Sequence, residues 1–148
     1  MFVALLLSCA ADAPSVQDTE LIVHDPEPVA IRIATEDLLL DLEDPALAGD
    51  ALKQLVERDA GAELEQVALT SADLGARGHA IRGLAQLNIG HDALASIQHD
   101  TGSDELVRIW AAAARIQMAD ENTLNDLRPL VLTWPELERP ITLREGQL

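Results

Sequence analysis

The sequence predicts an all-α chain, a short α-solenoid of antiparallel helical hairpins carried behind a flexible N-terminal tether. Three observations carry that expectation. The apolar residues make up 48% of the chain and are nearly all Ala, Leu, Ile and Val, with aromatics at 2% and no Tyr. Such a set suits close helix packing better than a β-sandwich rich in aromatic residues. Helix start and stop signals recur along the chain with short links, which leave room only for antiparallel neighbours. The chain also matches itself when Thr70 is laid on Thr101, as repeat architectures do.

Taken in order, the stretch "AADAPSVQDTE", Ala10 to Glu20, is small, polar and broken by proline, as a tether should be. In "LIVHDPEPVAIRIA", Leu21 to Ala34, the alternation of Val29, Ile31 and Ile33 with Ala30, Arg32 and Ala34 hints at an extended segment. It has no convincing second strand to pair with, so it is expected to lie along the first helix. The helical domain is expected over 35–148. Thr35 caps a short helix over "EDLLLDLE", and Asp44 with Pro45 at the first helical position opens "PALAGDALKQLVERDA", which Gly61 closes. "AELEQVALTSA" is a short helix, "DLGARGHAIRGLAQLN" ends at Asn88 and Gly90, and "HDALASIQHD" ends at Gly102. Ser103 caps "DELVRIWAAAARIQM", and "NTLNDLRPLVL" follows Asp120.

The internal match places Thr70, Asp73, Arg77, Ala80, Leu84 and Leu87 on Thr101, Asp104, Arg108, Ala111, Arg115 and Met118. Each shared position has a physical reason. Thr or its neighbours cap the helix, and Asp73 and Asp104 in the first turn favour the positive end of the helix dipole. Arg77 and Arg108 stand one turn later on the same face, placed to pair with that Asp or with the next repeat. Ala80 and Ala111, at the buried position, let a neighbouring helix approach closely. A second echo, "DALKQLVERD" against "DALASIQHD", lays Asp50 on Asp92 and so runs in a different frame.

"ARGHAIRGLAQL" (Ala76 to Leu87) and "VRIWAAAARIQM" (Val107 to Met118) resemble the first helix of HEAT-like repeats, in the short form usually named for phycobilisome lyases. The resemblance covers roughly Ser71 to Val131, with a degraded copy before it from Pro45 and "TWPELERP" (Thr133 to Pro140) as the start of another. It implies stacked hairpins and is nearly silent on activity. The chain departs from the pattern at Arg115, where Leu is expected, and at Gly78 and Gly83 inside a helix. Each glycine costs about 1 kcal/mol relative to Ala, so either the helix bends there or a neighbour crosses very close. Two clear repeats are fewer than the three that a stack usually needs, so a fragment of a longer stack is a further reading.

The opening stretch, "MFVALLLSCAADAP", holds an apolar run from Phe2 to Leu7 and then the chain's single cysteine. A run of that length is too short to cross a bilayer core, which takes about twenty residues. "LLSC" resembles the lipobox of bacterial lipoproteins. Carried over, the resemblance implies loss of 1–8 as a signal peptide and Cys9 as the lipid-bearing residue at the head of the tether, 9–34. Two or three acyl chains hold a protein firmly where one gives only marginal binding. The expected location is the bacterial cell envelope. The alternative is a cytoplasmic protein with an unprocessed N-terminus and one buried thiol.

Formal net charge is −16, and from Asp12 to Asp50 eleven acids face one base, Arg32. That excess repels phosphate backbones and argues against nucleic acid and against direct adsorption to anionic lipid. His91–Asp92 and His99–Asp100 lie two turns apart on one short helix, too far for one ion, so no metal or cofactor is expected. "EDLLLDLED" lacks the spacing and glycine of a calcium loop, and no nucleophile elbow, phosphate loop or zinc-protease helix occurs. Trp110 and Trp134 read as core or repeat-interface residues and, if exposed, as partner contacts. The expected function is a non-catalytic, lipid-anchored scaffold or adaptor that meets a protein partner through a concave face. The alternative is an accessory or regulatory subunit of an enzyme, for example one that attaches a cofactor. An apolar groove lined by Leu84, Leu94, Trp110 or Trp134 favours the first, and a pocket gathering His79, Arg82 or Arg115 with acids favours the second.

Overall fold

The computed structural model describes residues 35–148. The tether, the Leu21–Ala34 segment, His24 and Cys9 lie outside the described residues. Among the described residues, all regular structure is helical. The elements are α1 (35–41), α2 (Ala48–Glu57), α3 (Gly61–Thr70), α4 (Leu74–Leu87), α5 (His91–His99), α6 (Glu105–Met118), α7 (Glu121–Leu127) and α8 (Glu138–Glu145). Two 3-10 turns, Arg128–Leu132 and Pro135–Leu137, join α7 to α8.

Local chemistry sets most of the ends. Asp73 caps α4 by accepting from the Ala76 N–H at 2.7 Å, Asp104 caps α6 through Leu106 N–H at 2.8 Å, and Asp120 caps α7 through Thr123 N–H at 2.7 Å. Asn88 and Gly90 take left-handed backbone, φ 56° and 73°, and turn the chain from α4 into α5. Pro129 has no N–H to donate, so α7 tightens into a 3-10 turn there.

Four expected ends move. Ser103 does not cap α6, because its hydroxyl is engaged by Asp100 Oδ2 at 2.7 Å, and the adjoining Asp104 carboxylate does the capping. In the same way Thr70 sits at the end of α3, its Oγ1 donating to the Gln66 carbonyl, rather than at a helix start. Asp44 forms a local turn, its Oδ1 accepting from Ala46 N–H at 2.9 Å, and α2 begins only at Ala48. Gly61 does not close α2. Asp59 does so with φ 56°, while Gly61 opens α3 against Ile89, where any Cβ would collide with that side chain.

Packing places α2, α4, α6 and α8 side by side in that order, with α3 against α4, α5 against α6, and α3 against α5. Ala80 and Ala111 are fully buried at the centre, so the backbones of α4 and α6 come close. The helix glycines are explained by close neighbours. A Cβ at Gly83 would stand 2.8 Å from Leu52 Cδ1 and 2.9 Å from Leu64 Cδ1, and one at Gly78 would stand 2.8 Å from Trp110 Cζ3. The second echo joins α2, which lies in the row with α4 and α6, to α5, which packs on the outside of that row. It therefore does not relate equivalent helices.

Two clusters hold the domain. The larger runs from α1 to α6 through Leu42, Leu55, Leu64, Leu84, Leu94 and Val107. The smaller joins α6, α7, the 3-10 turns and α8 through Ile116, Leu124, Trp134, Leu137 and Ile141.

Candidate functional site

The two recurring arginines are structural donors. Arg77 Nε donates to the Ala68 carbonyl near the end of α3 at 2.9 Å, and Arg108 Nε donates to the Gln98 carbonyl near the end of α5 at 3.1 Å. Each cation therefore supplies a donor to the negative end of the helix that precedes its own, where carbonyls lack intrahelical partners. Neither Nε turns to the Asp one turn before it. Arg77 also reaches the loop before α6, its Nη2 lying 3.4 Å from Ser103 Oγ. Arg115 stands on α6 where Leu is expected, and its Nη1 donates to the side-chain oxygen of buried Gln98. Burial lowers the Arg115 pKa.

Arg108 also lies over Trp134, its Cζ 5.2 Å from the ring centroid. Replacing it with Met removes a charged hydrogen bond and this stacking, at an expected cost of about 2 kcal/mol. Urea unfolding measures the loss. Lys at 108 restores only part of it, because an ammonium cannot cover the ring and reach the carbonyl in one plane.

Trp134 is not a surface anchor. It is 4% exposed and its Nε1 donates to Glu105 Oε1 at 3.2 Å, so the indole is held inside the smaller cluster by its own polar handle. Trp110 differs: it is half-buried, its ring lies against the bare backbone at Gly78, and it faces a groove.

That groove has a volume of about 670 Å³ and crosses the exposed faces of α4, α6 and α8. From α4 come Gly75, Gly78, His79, Ile81, Arg82 and Ala85, from α6 Trp110, Ala113, Ala114 and Gln117, and from α8 Pro140, Leu143 and Arg144, with Gln147 just after it. On α6 these are positions i, i+3, i+4 and i+7, a single face. The spacing of the α6 set is repeated through α8 and the turn after it, Trp110 falling on Pro140 and Gln117 on Gln147. In the frame that lays Thr70 on Thr101, His79 and Arg82 fall on Trp110 and Ala113. Where a solvated face is normally charged, this one is built of glycine, alanine, Trp110 and the 59% exposed Leu143. Its charged side chains are Arg82 and Arg144, with no Asp or Glu in the lining. Arg144 is anchored by its Nε, which donates to the Ala119 carbonyl at 2.8 Å.

Of the residues expected to line a groove, Leu84 and Leu94 are fully buried and Trp134 nearly so, leaving Trp110. Of those expected to gather in a pocket, His79 and Arg82 do, while Arg115 turns to α5 and no acid joins them. Leu143 and Arg144 escape the sequence reading. Their signal is the recurrence between α6 and α8, but the α8 copy keeps the spacing without the residue types. His91 and His99 are exposed at the two ends of α5, and no group of three or more His, Cys, Asp or Glu that could hold a metal ion occurs among the described residues. No helix among them is long and apolar enough to cross a membrane.

The carboxylates that shape the turns respond to pH. Asp100 is held below its ordinary value of 3.8 by the Ser103 hydroxyl, the Gly102 N–H and the positive charges of Arg77 and Arg108. Asp120 is lowered by the N–H and hydroxyl of Thr123. A carboxyl whose folded pKa is depressed stabilises the fold above its unfolded pKa and loses that contribution as pH falls through the folded value. Urea midpoints are therefore expected to fall as pH drops below about 4, and less steeply in Asp100→Asn and Asp120→Asn.

Comparison with protein-family models, with curated proteins and with solved structures finds no match.

Proposed function

We propose that the chain is a non-catalytic, lipid-anchored adaptor of the bacterial cell envelope, a short HEAT-like α-solenoid that offers one face to a protein partner. The carrying observation is the groove to which α4, α6 and α8, neighbours in one packed row, each in turn give one helical face. Such a row is the expected surface of stacked hairpins, whose equivalent faces align into one extended binding surface. The lining supports recognition over turnover. It includes His79 and two arginines, with no carboxylate in the lining to orient the imidazole and no Ser, Thr or Cys as nucleophile. The alternative, an accessory subunit of a cofactor-attaching enzyme, draws on the same volume, which lies within the range of about 300–1,000 Å³ usual for small-ligand sites.

The anchor and the face are tested separately. The membrane fraction of an expressing bacterium should yield a chain that lacks 1–8 and carries acyl mass on Cys9, and Cys9→Ser should abolish both processing and membrane recovery. An intact, soluble wild type with a free thiol removes the anchor. A photocrosslinking side chain at position 143 should form a defined protein adduct in cells, while one at exposed position 53 on α2 should not. Equal labelling from both positions removes the groove as the contact face.

A further inference from the structure

The charge of the groove runs against the charge of the chain. With 26 acids and 10 bases overall, an average surface depression should be acidic. The smaller hollow of about 430 Å³ is so, carrying Glu36 and Glu43. The α4–α6–α8 groove instead carries Arg82 on α4 and Arg144 on α8, on either side of an apolar floor formed by α6. Arg144 is oriented by the Ala119 carbonyl through one of its five N–H donors, and a second nitrogen, Nη1, lies 3.4 Å from Gln147 Oε1. Arg82 is exposed and meets no carboxylate within the lining. The Trp110 ring on α6 and the exposed Leu143 side chain on α8 share the lining with the two cations.

We propose that this groove binds a short segment of a partner protein in which a bulky apolar residue is flanked by acids. The apolar side chain rests on Trp110 and Leu143, and the flanking carboxylates meet Arg82 and Arg144. A guanidinium presents a fork of donors that fits a carboxylate, so the two arginines select for charge and spacing together. The net charge of −16 repels an extended polyanion at long range, which excludes nucleic acid as the occupant while leaving a short contact to the local arginines. This inference rests on the adaptor reading and names the chemistry of its partner.

The test is selection of a phage-displayed random-peptide library on the immobilised full chain. Bulk charge alone would enrich basic peptides on so acidic a protein. The groove is expected to enrich peptides in which Leu, Phe or Trp is flanked by Asp or Glu. Binding of an enriched peptide, followed by fluorescence anisotropy, should weaken about tenfold or more in Arg82→Glu and in Leu143→Ser, each equivalent to about 1.4 kcal/mol or more. Both positions are exposed, so both variants should fold, and circular dichroism checks that they do. Arg82→Lys should retain part of the affinity, and Lys53→Glu on α2 all of it. Basic or neutral consensus peptides, no enrichment, indifference to Arg82→Glu, or self-association through this face in sedimentation would each overturn the proposal. If position 143 still crosslinks to a defined protein while acidic peptides fail, the acidic partner falls and the adaptor reading stands. Acidic peptides that bind a chain giving no cellular adduct remove the adaptor reading.

Discussion

Leu84→Ala is expected to lower the unfolding free energy by about 3–5 kcal/mol, near the top of the range for emptying a core site. Leu84 is fully buried on α4 within the larger cluster. Its walls cannot close easily. Gly90, held at φ 73°, stands directly against the Leu84 side chain, so a Cβ added there would come 3.1 and 3.2 Å from the two Leu84 methyl groups. On the other faces Gly83 is already filled by Leu52 and Leu64, so α2 and α3 are at their closest approach to α4. A cavity with such walls stays open and costs the full packing term as well as the transfer term. Urea unfolding should show a lower midpoint with an unchanged slope. A loss below about 1 kcal/mol would mean that the core around α4 repacks freely, contrary to the tight glycine contacts.

Trp134→Ala is expected to cost about 3–5 kcal/mol as well, but to concentrate that loss locally. Trp134 is the large side chain of the smaller cluster and holds three things at once: the Glu105 carboxylate through Nε1, the Arg108 guanidinium over its ring, and the apolar cluster of Leu137 and Ile141. Truncation removes all three and leaves α8 with Ile141 as its one buried residue. Amide hydrogen exchange should lose its protection in α7 and α8 first, while α3, α4 and α5, which rest on the larger cluster, keep theirs. The groove should weaken with α8, since Pro140, Leu143 and Arg144 form its third wall. Trp134→Phe keeps the apolar contact and should recover much of the loss, except the hydrogen bond. Uniform loss of protection would show that the two clusters unfold as one unit.

The two cases divide what was legible in the sequence from what was not. The helical placement of Leu84 was legible from the internal match, but its burial was not, since that match lays it on Arg115 and it was a candidate groove-lining residue. Trp134 sits between Pro129 and Pro135, in broken helix with no periodicity to say which way it faces. Its burial depends on Glu105 and Arg108, both on α6. Gly78 and Gly83 could be flagged as anomalous in a helix, but the partner that explains Gly78, Trp110, comes from another helix. Arg77 and Arg108 were recognisable as recurring, while their acceptors, the carbonyls of Ala68 and Gln98, required the antiparallel turn to bring them within reach.

By itself the sequence determined the helical content and several helix ends: Asp73 and Asp104 at the head of their helices, Asp120 ahead of α7, and Asn88 with Gly90 as the stop of α4. Capping hydrogen bonds, the helix dipole and the backbone preferences of glycine and proline act over a short reach of chain and need no partner. Tertiary structure alone decided which groups each recurring arginine reaches, which tryptophan is hidden, and that two arginines face one apolar floor. Those outcomes depend on groups far apart in the chain arriving at one place, Arg77 at Ser103 and Arg82 at the groove it shares with Arg144. Side-chain packing and desolvation act only between surfaces already in contact.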